Sequence, residues 1–327
     1  MTMRVAVLDD WQGVARGAAD WSRLRARAWI EFLHQPVNSP DEAAQALAGF
    51  DILMAMRERT AFPEALIERL PALKMIALTG SRTWTMDLDA CTRRGIVVSN
   101  TGGANSAAAT AELALGLLLA AARSIPACDR SMREGRFQQG IPAGEVLEGK
   151  VLGVIGAGKI GSRMARYGAA LGMRVLAWSP NLTADRAREA GAQLADKATL
   201  LSESDAVSLH LVLSERTRGI LGADDLARMK PGAILVNTSR GPLVNEAALL
   251  ENLRAGRLIA ALDVFDREPL PADHPLRSLP NTVLTPHQGY CSREVYQQFY
   301  RESIDNVLAF LDGAPVRVLN PGAIARR

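Results

Sequence analysis

The run Val151-Leu-Gly-Val-Ile-Gly156-Ala-Gly158-Lys159-Ile160-Gly161-Ser-Arg-Met-Ala constrains the fold more than any other part of the chain. A short β-branched strand stops at a glycine and restarts at once as a helix. In such a setting Gly156 permits a tight turn, Gly158 lets backbone approach a pyrophosphate, and Gly161 lets the helix pack closely on the strand. Lys159 and Ile160 complete the turn, and the helix N-terminus presents unpaired N–H groups to phosphates. Bare Gly-x-Gly-x-x-Gly spacing also occurs in ordinary loops. Here the strand before it and the helix after it mark a dinucleotide-binding turn inside a βαβ unit.

The rest of the chain has the same rhythm. Apolar runs at 5–8, 52–55, 75–78 and 97–98 read as one strand series, with helices at 41–48 and 63–70 between them. A second series runs through 151–155, 174–178, 206–209, 233–236, 259–262 and 282–285. A long Ala/Leu-rich helix at 105–123 joins the two, and a last helix covers 292–311. The 327 residues, 48% hydrophobic and 22% charged, suit two globular α/β domains rather than disorder. A net charge of +3 offers no general electrostatic case for nucleic acid or anionic membrane. The charge-free run 113–122 is about half a bilayer span, so it reads as a buried helix. Charge arrives too early at the N-terminus for a signal peptide. Cys91, Cys128 and Cys291 are scattered without metal-ligand spacing, which predicts no metal and a reducing, cytoplasmic setting.

A dinucleotide fingerprint expects a carboxylate about 20 residues on, where it holds the ribose 2′-hydroxyl. That place is Trp178-Ser179-Pro180-Asn181, without an acid. Ser179 either bonds a 2′-hydroxyl weakly or tolerates a 2′-phosphate beside Arg186 or Arg188, so NAD and NADP both stay open. Further on, Arg240, Glu268 and His287 each lie just past a predicted strand. Carboxyl ends of strands line the ligand crevice of an open α/β sheet. A guanidinium, a carboxylate and an imidazole converging there make a proton-transfer site with an anion anchor.

The order Gly-x-Gly-x-x-Gly, Asn-Thr-Ser-Arg-Gly (237–241), Asp-Val-Phe-x-x-Glu-Pro (263–269) and Thr-Pro-His-x-Gly (285–289) resembles the D-isomer-specific 2-hydroxyacid dehydrogenase family, including its phosphoglycerate-dehydrogenase-like members. The resemblance covers nearly the whole chain. It implies two Rossmann-like domains, with a nucleotide-binding domain at 104–288 inserted into a smaller flavodoxin-like substrate domain formed by 1–103 and 289–327. It implies NAD(P)-linked hydride transfer between a 2-oxo acid and a D-2-hydroxy acid, and commonly a homodimer. Arg240 then binds the substrate carboxylate, His287 is the acid/base and Glu268 its partner. Asp263 contacts the nicotinamide carboxamide, Thr110 stands against the nicotinamide, and His210, Thr217 and Thr238 lie along the cofactor. Formate dehydrogenases similar to this family carry Gln at the position of Glu268, so the resemblance points away from that activity.

Two departures concern the substrate. The family's substrate loop usually reads Gly-Val-Gly-x-Asp-Asn, but here it is Gly80-Ser81-Arg82-Thr83-Trp84. Backbone N–H groups from Gly80 onward remain candidates for the carboxylate. Arg82 either adds a second cationic contact for a diacid or phosphorylated acid or points to solvent, and Arg57 is a further cationic candidate. The segment 104–112 is also out of step by one residue with the family's usual Asn-Ser/Thr-x-x-Val-Ala-Glu spacing. Some proteins resembling the family act as corepressors, so an NAD(H)-sensing binding protein is the alternative to an enzyme. The Arg240, Glu268 and His287 set favours the enzyme.

Overall fold

Two all-parallel sheets form from the two strand series, and a computed structural model describes residues 2–37, 39–80, 83–103 and 105–326. The chain divides into a unit of Met1–Asn105 with Cys291–Arg327 and a unit of Ser106–Tyr290. Both divisions fall two residues beyond the boundaries expected from sequence. At the second, the reason is local: the Gly289 N–H donates to Asp263 of the nucleotide unit (2.8 Å), and the Gly289 carbonyl faces the Thr110 hydroxyl (2.9 Å).

In the first unit, β1 (Met3–Val7), β2 (Ala28–Phe32), β3 (Ile52–Ala55), β4 (Met75–Leu78) and β5 (Val97–Asn100) lie in the order β2-β1-β3-β4-β5. This is the flavodoxin-like order, with its switch point between β1 and β3. Strands β3 and β4 are wholly buried, which is why they read as continuous apolar runs. Strand β2 was not anticipated. It is an edge strand with only its two ends buried, so it carries no uninterrupted apolar run. The Arg4 guanidinium lies over both Trp29 (5.0 Å) and Phe50 (4.8 Å) at that edge, which covers apolar rings with a cation. The helix expected at 63–70 is a single turn, Glu64–Ile67, while Arg293–Leu311 runs almost as predicted.

The second unit has β6 (Val151–Ile155), β7 (Arg174–Trp178), β8 (Gln193–Leu194), β9 (Ala206–Leu209), β10 (Ala233–Asn237), β11 (Leu258–Leu262) and β12 (Thr282–Leu284). Their order, β12-β11-β10-β9-β6-β7-β8, is the doubly wound Rossmann arrangement with one added strand, and it reverses between β6 and β9. Both faces are covered. Leu200, Leu226 and Leu249 from three helices pack on one side, and Ala114, Leu118 and Met164 from two others pack on the opposite side. The helix Ser106–Ala122 buries Thr110, Ala111, Ala114, Leu117, Leu118, Ala121 and Ala122. Leu113, Leu115 and Leu119 of the same helix are partly buried against that core. Among the described residues no single helix is long and apolar enough to cross a membrane.

Asp205 ties the entries of three strands together. Its N–H donates to the Val151 carbonyl (2.9 Å), its Oδ2 accepts from the Val151 N–H (2.8 Å), its carbonyl accepts from the Ile234 N–H (3.0 Å), and Lys230 Nζ donates to Oδ1 (2.9 Å). Burial raises its pKa, but the Val151 and Lys230 bonds outweigh that and hold the carboxyl below its ordinary value. A depressed carboxyl stabilises the fold above its unfolded pKa, and that stability is lost as pH falls through the folded value. Asp205→Ala should cost about 1–3 kcal/mol at neutral pH, the range for losing a charged hydrogen-bond partner. Urea unfolding should show the gap to wild type closing as the pH drops below the ordinary carboxylate range.

Candidate functional site

The nucleotide cradle is built by close approaches that only glycine allows. Gly156 has φ +98°, and a Cβ there would stand 2.7 Å from the His210 carbonyl oxygen. At Gly161 a Cβ would come within 1.8 Å of the Gly156 oxygen, so the helix sits directly on the turn. At Gly158 a Cβ would meet nothing within 4 Å, leaving its backbone open on the outer side of the turn beside exposed Lys159. Ile160 is half-buried at the helix start. Two buried polar atoms at the neighbouring strand ends lack a protein partner: His210 Nδ1 after β9 and Thr238 Oγ1 after β10. Burial pushes the His210 pKa down to about 3, so the ring is neutral, and its Nε2 lies 2.8 Å from Ser208 Oγ. An open glycine turn with two orphaned polar groups alongside fits a dinucleotide.

Other expected cofactor residues are placed differently. Ser179 is half-buried after β7, and the helix carrying Arg186 and Arg188 starts only at Ala184, with Arg188 paired to Asp185. Thr217 closes its own loop, its hydroxyl donating to the Val212 carbonyl (2.6 Å) and accepting from the Ser214 N–H (2.8 Å). Thr110 is buried with its hydroxyl near the carbonyls of Ser106 (2.7 Å) and Gly289 (2.9 Å). Asp263 is fully buried. Its Oδ1 accepts from Thr285 Oγ1 (2.6 Å) and the Gln288 N–H (2.6 Å), and its Oδ2 accepts from the Gly289 N–H (2.8 Å). Burial raises its pKa against the pull of these donors and of His287.

Those bonds set the position of His287. His287 stands in the left-handed region at φ +56°, its N–H donating to the Asp263 carbonyl (2.8 Å). Its Nδ1 lies 2.6 Å from Glu268 Oε2, and Tyr290 packs edge-on to the ring at 6.0 Å. Glu268 Oε1 accepts from the Phe265 N–H (3.0 Å). Burial raises the Glu268 pKa, but the hydrogen bond and charge of His287, the Phe265 N–H and the charge of Arg240 bring it below its usual value. Arg240 leaves β10 through a turn that Asn237 organises, its side chain donating to the Arg240 carbonyl (2.9 Å) and accepting from the Ser239 N–H (3.0 Å). Gly241 then passes the Phe265–Asp266 backbone so closely that a Cβ would stand 2.1 Å from Phe265 carbon. Arg240, Glu268 and His287 are thus brought together. Asn237, Thr285 and the Phe265 N–H were missed from sequence, although all three lie within the quoted motifs.

The substrate-loop residues belong to the other unit. Ser81 and Arg82 lie outside the described residues. Gly80 has φ +82°, and its N–H donates to Thr101 Oγ1 (2.9 Å). The Arg57 guanidinium lies over Gly80, where a Cβ would come within 3.5 Å of it. Arg57 itself has φ +52°, and its N–H donates to Thr79 Oγ1 (2.9 Å).

Comparison with known proteins agrees with this geometry. The family described as D-isomer specific 2-hydroxyacid dehydrogenase, NAD binding domain, matches residues 115–289. A D-3-phosphoglycerate dehydrogenase of Archaeoglobus fulgidus is 40% identical over 81% of this chain, but this chain spans only about half of its length (50%). A glyoxylate reductase of Aeropyrum pernix is 39% identical over 78% of each chain. The crystal structure of a phosphoglycerate oxidoreductase from Vibrio cholerae superposes with a TM-score of 0.90 at 38% identity, covering 95% of this chain and 100% of that one. The doubly wound sheet, the glycine cradle and these matches together place the chain in the D-isomer specific 2-hydroxyacid dehydrogenase family.

Proposed function

We propose that the chain is an NAD(P)-dependent oxidoreductase that interconverts a 2-oxo acid and a D-2-hydroxy acid. The observation that carries this is the 2.6 Å bond between His287 Nδ1 and Glu268 Oε2, with the charge of Arg240 beside it. When bound in the glycine cradle, the nicotinamide cofactor supplies or accepts the hydride. The protein's part is the proton and the anion. With Nδ1 turned to Glu268, Nε2 is the nitrogen that gives the proton to the substrate's carbonyl oxygen in reduction and takes it back in oxidation. Glu268, bonded to Nδ1, fixes the orientation of the ring. Arg240 holds the substrate carboxylate with a two-pronged guanidinium, a geometry that lysine does not offer. A protein that only senses NAD(H) has no use for a proton donor held in a strained backbone, so the corepressor-like alternative is not favoured.

His287→Ala should lower kcat by about 10²–10⁴ while leaving cofactor affinity nearly unchanged, since the phosphates bind elsewhere. Glu268→Gln, which removes the charged acceptor that orients the ring at Nδ1, should also lower kcat while leaving cofactor affinity nearly unchanged. Unimpaired turnover in His287→Ala, measured by NAD(P)H absorbance with glyoxylate or hydroxypyruvate, overturns the assignment.

The cofactor reading is that both NAD and NADP are used. Ser179 neither grips a 2′-hydroxyl firmly nor repels a 2′-phosphate, and Pro180 removes a backbone donor from the turn. The kcat/KM values for NADH and NADPH should then lie within about 100-fold of each other. Ser179→Asp should shift the preference toward NADH by adding a bond and a repulsion together. A wild type that rejects NADPH far more strongly would show that another group discriminates.

The assembly reading is a homodimer. Exposed Ile125, Met132, Phe137 and Val146 fall in one short stretch of the nucleotide unit, and twofold pairing is the commonest way to cover such surface. Light scattering should give a dimer mass that Phe137→Glu lowers. A monomer mass for the wild type at micromolar concentration removes the proposal.

A further inference from the structure

Glu268 rides on an irregular segment, 265–273, in which residues 266–269 are exposed, so its aim depends on how that segment is held. At the near end Gly241 lies against Phe265 and Asp266. At the far end a tight turn begins two residues after Glu268. Arg277 donates from Nη2 to the Leu270 carbonyl (2.7 Å) and from Nε to the Pro271 carbonyl (2.8 Å), and the His274 N–H donates to the Pro271 carbonyl (3.2 Å). Pro269, Pro271 and Pro275 each fix φ, which leaves little slack between Glu268 and the turn. Two contacts tie this turn to the body of the nucleotide unit. Leu276 is buried in the core, an attraction without direction. His274 supplies the directional one. Its Nδ1 accepts from the Leu276 N–H (3.3 Å), which leaves the ring proton on Nε2, 3.2 Å from Glu246 Oε1. The two side chains are only 15% and 28% exposed.

Glu246 opens the helix Glu246–Arg254, which Asn245 caps by accepting from the Ala248 N–H (3.0 Å), and a helix N-terminus favours a carboxylate there. Both ends of the Glu268 segment are therefore gripped by the stretch 241–246 that follows Arg240. A small cavity lined by Asn237, Glu246, Phe265 and Asp266 lies at the same place, so apolar packing does not lock the segment by itself. Asp266 faces the same acid: burial and the Glu246 charge raise its pKa, against the pull of Arg218 and His274. His274 thus joins the segment to a helix whose acid would otherwise repel it. We propose that His274 is a positioning residue, whose bond to Glu246 fixes the segment that carries Glu268 and, through Glu268, the orientation of the His287 ring. This rests on the 2-oxo-acid reading above and adds to it a residue outside the four motifs. All of these groups belong to the nucleotide unit.

His274→Asn keeps an acceptor for the Leu276 N–H but does not reach Glu246. With glyoxylate or hydroxypyruvate it should lower kcat about tenfold, a scale that a small misplacement of a catalytic group reaches. KM for the acid and NADH affinity should stay nearly unchanged, since Asn237 organises the Arg240 turn separately and the phosphates bind at the glycine cradle. Glu246→Ala should act like His274→Asn and guards against a His274 variant that fails to fold. Glu246→Gln, which keeps an oxygen for the Nε2 proton, should stay within about twofold of wild type. The deciding measurement is a double-mutant cycle. In a Glu268→Ala background His274→Asn should change kcat by less than about twofold, because no carboxylate is left to aim. An equal loss in both backgrounds, or full kcat in both His274→Asn and Glu246→Ala, overturns the proposal while leaving the 2-oxo-acid reading intact. A wild type that reduces neither acid overturns both.

Discussion

Three hydrogen bonds to one buried carboxyl group hold the reactive corner in place. Asp263 follows β11, and its side chain gathers Thr285, Gln288 and Gly289 around itself while its carbonyl takes the His287 N–H. A histidine in left-handed conformation does not persist unless its surroundings over-determine it. Here the residues on both sides of His287 are tied to the same carboxyl group, so the imidazole is delivered to Glu268 by backbone constraint rather than by side-chain choice. A carboxylate that accepts two backbone N–H groups is a rigid clamp, and its complete burial keeps water from competing for those bonds.

Close backbone approach extends that rigidity to the other members of the site. Gly241 brings the exit of β10 against the exit of β11, so the Arg240 turn and the Phe265–Glu268 loop cannot drift apart. Gly161 does the same for the helix that faces the nucleotide turn. Parallel strands in register then put the ends of β6, β9, β10 and β11 along one edge. The chemistry of the nucleotide unit is thus a property of strand ends, with glycines setting how tightly the loops leaving them can pack.

The first unit works by electrostatic balance instead. Its loops after β1 and β3 interleave acids and bases, with Glu58 held between Arg57 and Trp84 and Asp9 held between Thr60 and the charge of Arg59. Half-buried charges survive desolvation only when they are paired.

Sequence by itself determined the elements that physics makes local. Strands 52–55, 75–78, 151–155, 174–178 and 206–209 were legible to the residue because strands of a covered parallel sheet are nearly continuous apolar runs. The glycine turn and the Arg240, Glu268 and His287 set were legible because their residue types and order already state a chemistry. Edge strands β2 and β8 were not, since half-exposed or two-residue strands leave no such run. Tertiary structure decided what each polar group was free to do. Asp263 gathers Thr285, Gln288 and Gly289 around a buried carboxyl group, the Gly80 N–H finds its partner in Thr101, and Arg57 lies against Glu58. Hydrogen-bond donors and charges are saturated by partners distant in the chain, and those partners are known only once the chain has folded.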